Sequence, residues 1–471
     1  MNDDTDKIIK AQATKRAISR SANSIRTKGS SSEKLNRKRF GYDVFRRRIN
    51  VIFPERASKP PLNVRRKSML LFKSPKKNII LDSIINNRQD LWRPIKLRSE
   101  YDKMEIDLNN FSFIDDPVGA VESLYNISSA EMYMYSCTVN FNQNRISDIG
   151  PYLILSDVWS DFAPVFTGGR MSHSVMKVIE SVGLRKPLFM ARFRGLKDTS
   201  GVWAFPLQRR IEPVGGLDTK GLNEPQRQEK TIDRFIDWID ECIGIPDIGK
   251  ELTEEGKGWI SNIFNELLDN AERYSSSGTQ RGNWSIAGFM AQRGSDEEPL
   301  FIISISVLST GATISETIEK ITGINKIRLS KYISKFKSNE YPEEILNTIF
   351  ALQDYVTSDP KAIAGNRGGI GFQSVFDFMN DVGGSYEIAK LPKLAVVSGN
   401  SAIRLVHPYH QGRKRATSPF PREIWFNEQN SEFEAPELGN VKTLPHRIQG
   451  TLVTLQFQLD RKYLDDAVER E

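Results

Sequence analysis

Two stretches of this 471-residue chain carry residue types that can handle a phosphorylated substrate. In WISNIFNELLDN, Glu266 and Asn270 stand four residues apart. On a helix that spacing stacks an acid and an amide in one patch. Such a pair can hold Mg2+, which takes oxygen ligands and shares the phosphates of a nucleotide, while the carboxylate suits a general base acting on water or a hydroxyl. Further along, GNRGGIGFQSVFDFM supplies Gly365, Gly368, Gly369 and Gly371 ahead of a helical run from Gln373 to Met379. Glycines let backbone N–H groups turn toward phosphate, and a helix N-terminus favours negative charge. Each signal has a plain alternative when taken alone: a solvated helix face for the first, an ordinary glycine turn for the second.

The elements that must position these residues show in the apolar spacing. Trp259, Ile260, Ile263, Phe264, Leu267 and Leu268 predict a helix with one buried face. Thr231–Cys242 reads as an amphipathic helix, and the polar Asp218–Lys230 before it as a linker. SYEIA after Gly383–Gly384 is strand-like, and Gly450–Leu459 (GTLVTLQFQL) reads as a last strand. Upstream, about 104–210 alternates strand and helix. Tyr133–Phe141 reads as a strand, Ser147–Pro151 as a turn and Tyr152–Trp159 as an amphipathic run. Val175–Val182 is a helix stopping at Gly183. That alternation predicts a small α/β unit.

NFNQNRISDIGPYLILSD followed by GGRMSHSVMKVIESVGLRKPLF resembles a STAS domain, the fold of anti-anti-sigma factors. With Gly150 at that family's glycine, Ser147 stands at its Asp, Asp148 at its first Ser and Ile149 at its phosphoacceptor. An apolar Ile149 cannot receive a phosphoryl group, so a scaffold without that switch is expected. NELLDNAERYS, a β-rich run ending in STGATI, RGGIGFQSVFDFMNDVGGSYEI and GTLVTLQFQL, in that order over about 250–460, resemble the GHKL superfamily. These are the ATP-binding domains of gyrase-type ATPases, histidine kinases and anti-sigma-factor serine kinases. The resemblance implies an α/β sandwich, a mixed sheet with helices on one face and ATP bound between them. It assigns Glu266 as the activating base and Asn270 as the Mg2+ ligand. Gly368, Gly369 and Gly371 become the glycine box, and about 315–367 a lid carrying Lys320, Lys326, Lys331, Lys335 and Lys337. One of these lysines, or Arg367 beside the box, could reach a phosphate. Ser309 and Gly311 fall in the family's D-x-G-x-G motif, where Ser309 replaces the Asp that receives the adenine amino group and Thr313 replaces the second Gly. A hydroxyl accepts a weaker hydrogen bond than a carboxylate.

The expected organisation is a basic, partly disordered arm (1–100), a STAS-like α/β domain (104–215), a linker and connecting helix (216–245), and a GHKL domain (246–462). Charge divides the same way. Residues 1–100 hold 26 Lys and Arg against 9 Asp and Glu, so the net +7 sits on an acidic body. The arm therefore suits nucleic acid or an acidic partner. Cys137 and Cys242 have no metal-ligand spacing and do not suggest a disulfide framework. No apolar run approaches the roughly 18 residues of a membrane span, which with the cysteine usage leads to an expectation of a cytoplasmic protein without membrane contact. His407, His410 and His446 lie inside the nucleotide domain, and His173 stands between Ser172 and Ser174 in a loop-like stretch without an acidic neighbour, which argues against histidine phosphotransfer.

These readings combine into an ATP-binding regulatory protein, using Mg2+-dependent ATP binding or hydrolysis to switch the packing of a STAS-like domain or of a protein partner. Alternatives are a serine/threonine kinase of the anti-sigma-factor type acting in trans, and a degenerate, non-catalytic interaction module.

Overall fold

In the computed structural model the described strands form three sheets: a two-stranded pair, a parallel sheet of three and an antiparallel sheet of five. The structure describes residues 72–73, 77–86, 88, 93–94, 103–133, 136–191, 193, 195–210, 228–274, 283–294, 299–354, 356–357, 371–410, 412–413 and 422–468. Most of the basic arm and most of the Asp218–Lys230 linker lie outside them.

β1 (Phe72–Lys73) pairs with β2 (Arg93–Pro94), and helix α1 (Ile79–Ile84) lies between them in the chain. β3 (Lys103–Leu108), β4 (Ser136–Phe141) and β5 (Phe166–Gly168) form a parallel three-stranded sheet. Helices α2 (Pro117–Tyr133) and α3 (Gly150–Phe162) are its crossovers, and α4 (His173–Ser181) follows. The remaining strands are β6 (Val202–Arg210), β7 (Asn283–Gly294), β8 (Pro299–Thr310), β9 (Lys393–Leu405) and β10 (Val441–Leu459). They form one sheet in the order β6-β7-β8-β10-β9, with every ladder antiparallel. Its helices are α5 (Gln228–Ile243), α6 (Glu254–Tyr274), α7 (Ile314–Ile318), α8 (Gly323–Phe336), α9 (Glu343–Ala351), α10 (Gly371–Val382) and α11 (Arg461–Val468).

The α/β character expected from the sequence is present, with four corrections of detail. The large sheet is antiparallel rather than mixed. Val202–Arg210, read as part of the upstream unit, is its edge strand, pairing with β7. The helix read over Thr231–Cys242 as a connector runs from Gln228 to Ile243 and packs Phe235, Trp238 and Ile239 into the same core as α6 and β8. SYEIA is not a strand; a single 3-10 turn occupies Ile388–Lys390.

The helices also cover both faces of the large sheet. Side chains alternate along β8: Ile303, Ile305 and Val307 join the core beneath α5, α6 and α10, whereas Leu308 joins a second core with α1, α2 and α3. The second core explains α3. Its Tyr152, Leu153, Ile154, Leu155, Val158, Trp159 and Phe162 are all buried, so the run is apolar nearly all round rather than amphipathic. A helix trapped between sheets needs no wet face.

Polar groups complete this interface. Ser304 Oγ accepts from the Ile149 N–H at 3.1 Å, Gln456 Nε2 donates to the Ser147 carbonyl at 2.9 Å, and Arg293 Nη2 to the Ile146 carbonyl at 2.7 Å. Asp148 is fully buried and accepts from Ser112 Oγ, Ile114 N, Gly150 N and Thr454 Oγ1. A Cβ on Gly150 would lie 2.9 Å from Leu452 and 3.3 Å from Thr454, too close for an unmoved strand. The Ser147–Gly150 loop is thus plugged into the reverse face of the antiparallel sheet, with Ile149 wholly buried.

Part of the arm is folded in as well. The Asn78 side chain caps α1 by accepting from Ile80 N and Leu81 N, both at 3.2 Å, and Ile80, Leu81 and Ile84 are buried. Arg88 is buried against Glu131 and Asp82, so its charge is paired on both sides. Cys137 and Cys242 are buried and free, and burial pushes both thiols up, Cys137 to about 12. Among the described residues no helix is long and apolar enough to cross a membrane.

Two outcomes follow from the shared interface. A fragment beginning at residue 246 would lack β6 and α5 and bare the α3-facing side of the sheet; it is expected to aggregate, whereas the full chain melts in one calorimetric transition. Burial raises the Asp148 carboxyl to about 6, against hydrogen bonds that lower it and a small upward push from Asp115. The folded chain then holds this proton more tightly than the unfolded one. Stability should fall as pH rises from about 4 through 6, by on the order of 2 kcal/mol. Asp148→Asn should remove that slope in denaturant titrations across pH; an unchanged slope would contradict the assignment.

Candidate functional site

Helix α6 opens on Thr253, whose Oγ1 accepts from Gly256 N at 3.1 Å, with Glu254 and Glu255 in the first turn where the helix dipole favours acids. Ile260, Ile263, Phe264, Leu267, Leu268 and Ala271 are its buried stripe, as the spacing predicts.

The two flanks of that stripe face different neighbours. On one, Gln228 of α5 donates to Asp269 Oδ1 at 3.1 Å and to the Asn265 carbonyl at 3.0 Å, and Glu272 is bonded by Trp284 Nε1 and Arg210. At 100° per residue, Trp259, Glu266 and Asn270 share the opposite flank. Trp259 touches Phe378 of α10 with ring centroids 6.1 Å apart. Glu266 and Asn270, both half-buried, therefore stand on the α10 side of α6.

Register fixes which end of the sheet this is. Ser309 lies opposite Thr451, and Phe457 opposite Ile303. A Cβ on Gly383, just beyond α10, would clash with Phe457, so the C-terminal end of α10 sits at the Phe457 level. Six strand residues span about 20 Å, and the twelve-residue α10 about 18 Å. α10 begins at Gly371, and its Phe378 packs on α6 at Trp259 and Phe264. Ser309 itself is buried on the face that carries α6, and its Oγ donates to the Ala271 carbonyl at 3.4 Å, next to Asn270 in the chain. The structure brings Ser309 to the Asn270 end of α6, with Glu266 one turn back along the same helix. Arg367, Gly368 and Gly369 lie outside the described residues.

The turn after β8 is held from several directions. The Gly311 carbonyl accepts from Gln449 Nε2 at 2.7 Å. Gly450 adopts φ +99°, and a Cβ there would meet the Ser309 carbonyl at 2.1 Å, so β10 can pass the turn only as glycine. Thr313 is wholly buried as the N-cap of α7, in a capping box with Glu316. Burial works against the charge of Glu316, but the Thr313 N–H, Gln449 and Arg447 hold its carboxyl below the ordinary range. Arg447 also reaches Glu344 of α9 at 2.6 Å. The motif order singles out Thr313 only as a replacement for glycine; Glu316, Arg447 and Gln449 carry no such signal, although T-x-x-E at 313–316 marks the cap.

Lys320, Lys326, Lys331, Lys335 and Lys337 are all exposed. Three make local contacts: Lys326 with the Glu319 carbonyl, Lys335 with the Phe433 carbonyl and Lys337 with Glu343. Among the described residues no group of three or more His, Cys, Asp or Glu could hold a metal ion by itself. A single amide oxygen beside one carboxylate suits Mg2+ that brings its own waters and phosphate oxygens. Of the histidines, His446 stacks on Tyr125 at 3.8 Å and His407 on His410 at 5.5 Å.

No protein-family model, curated protein or solved structure matches this chain.

Losing the cap at the turn should be measurable without any ligand. Thr313→Ala is expected to cost about 1–2 kcal/mol in urea denaturation, and an effect below a few tenths would show that the capping box does not hold α7.

Proposed function

We propose that this chain is a nucleotide-dependent regulatory protein whose candidate site takes ATP with Mg2+, in the manner of the GHKL ATP-binding domains it resembles. The observation that supports the reading is that Ser309 meets the Asn270 end of α6, and that the flank of α6 carrying Glu266 and Asn270 is the one that packs on α10, the helix following the glycine-rich segment. The amide of Asn270 would be the protein's ligand to Mg2+ shared with phosphate. Glu266 would orient and deprotonate the attacking water. The α10 N-terminus contributes the partial positive charge that favours phosphate. Magnesium, when bound, would neutralise charge on the phosphates.

The placement of the upstream unit favours a packing switch over phosphotransfer to that unit. Its Ser147–Gly150 loop is buried on the sheet face opposite α6, with Ile149 where the STAS family has its phosphoacceptor. A γ-phosphate held by Asn270 would lie across the sheet from it. Any protein phosphorylation by this site would therefore have to act in trans. One further observation favours a weakly adenine-selective or degenerate site. Ser309 bonds to the Ala271 carbonyl, and Thr313 serves as a cap instead of giving glycine's freedom to the turn.

Calorimetric titration separates these readings. Wild type should bind ATP only with Mg2+, Asn270→Ala should lose that dependence, and Glu266→Gln should keep binding while phosphate release falls by at least about 100-fold. No binding of any adenine nucleotide would reject the proposal, and labelled ATP marking an added protein would establish a kinase.

A further inference from the structure

β10 is irregular where it passes the candidate site: its pairing with β9 shifts register between Thr443 and Ile448 and again before Thr451. A bulge of this kind leaves backbone groups without ladder partners. Ser83 of α1 meets them. Its Oγ accepts from Gln449 N at 2.9 Å and lies 3.1 Å from the Arg447 carbonyl and 2.8 Å from the Ile80 carbonyl, either of which can take its proton. The two residues whose backbone it holds are those whose side chains hold the site. Gln449 Nε2 donates to the Gly311 carbonyl and to Glu316 Oε2, at 2.7 and 2.9 Å. Arg447 bridges Glu316 of α7 and Glu344 of α9, at 2.8 and 2.6 Å.

We infer that α1 is a strap on the candidate site, with Ser83 and Gln449 as positioning residues for the Ser309–Thr313 turn. The connection is contiguous and short: the α1 helix, the Ser83 hydroxyl, the β10 bulge, the Gln449 amide, the Gly311 carbonyl. α1 belongs to the basic N-terminal stretch and packs in the second core, on the reverse face of the sheet. Releasing α1 from the bulge frees Gln449, and with it the turn that ends in Ser309 and the cap of α7. Anything that engages or withdraws the N-terminal stretch is then felt at the turn. By linkage, a ligand that orders the turn tightens α1 on the body. The consequence for nucleotide rests on the function proposed above; the strap itself does not.

Amide hydrogen exchange on the full chain tests the strap without ligand. In Ser83→Ala and Gln449→Leu, amides of 309–316 should exchange about tenfold faster, the loss expected of one buried hydrogen bond. Residues 146–150 should stay as protected as in wild type, and Ser83→Thr, which keeps the hydroxyl, should restore the rate. The double variant should exchange no faster than Gln449→Leu alone, because both act through one chain of contacts. Unchanged exchange at 309–316 in Ser83→Ala would overturn the inference, as would additive effects in the double variant. Titrating Mg·ATP in parallel should show affinity weakened by about three- to tenfold in Ser83→Ala. Wild type that binds no nucleotide would reject the functional reading while leaving the exchange result to decide the strap.

Discussion

Everything in this molecule depends on an antiparallel sheet with no wet face. A sheet of this kind ordinarily buries one side and shows water the other. Here the serines and small apolar residues of the second side meet α2, α3 and the Ser147–Gly150 loop. A carboxylate, Asp148, is buried there with four donors around it. Such a group is costly if any donor is lost, so the loop has one seating on the sheet. The upstream unit is therefore part of the platform on which α6 and β8 are aligned, rather than a domain on a linker.

That platform fixes the end of the sheet where the proposed site lies. Glu266 and Asn270 point the same way because they stand four apart on α6, and α6 is held on both sides, by Gln228 of α5 and by Phe378 of α10. The turn after β8 is held by a cap, a glycine that lets β10 pass, and the amide of Gln449. None of these groups is catalytic; each removes a freedom that a bound phosphate would otherwise have to freeze.

Local features of the sequence were legible where one element carries the signal. The stripe from Trp259 to Leu268 defines α6 because a 3.6-residue repeat needs no knowledge of the partner, and the same holds for Gln228–Ile243. What could not be read was partnership. Val202–Arg210 looks like the end of the upstream unit, because its ladder partner β7 lies beyond two intervening helices. Tyr152–Trp159 was read as amphipathic because a second sheet above it leaves no trace in its own spacing. Tyr133 ends α2 instead of starting a strand, since Ser136–Phe141 alone is long enough to span the parallel sheet. SYEIA alternates like a strand, yet Gly383 and Gly384 before it are pressed against Phe457 and Tyr463, and the chain turns there instead of extending. Motif order singles out Ser309, but its bond to the Ala271 carbonyl joins residues 38 apart and leaves no local signal.

The central claim is that Asn270 and the N-terminus of α10 share one Mg-nucleotide. A crystal structure with Mn2+ and a non-hydrolysable ATP analogue tests it directly, since manganese scatters anomalously and takes the oxygen ligands of magnesium. The account predicts a manganese peak about 2.2 Å from Asn270 Oδ1, bridging to phosphates that meet the start of α10, with the base ending near Ser309. A saturated crystal with no nucleotide on this face of the sheet, or with the metal held away from Asn270, would contradict it.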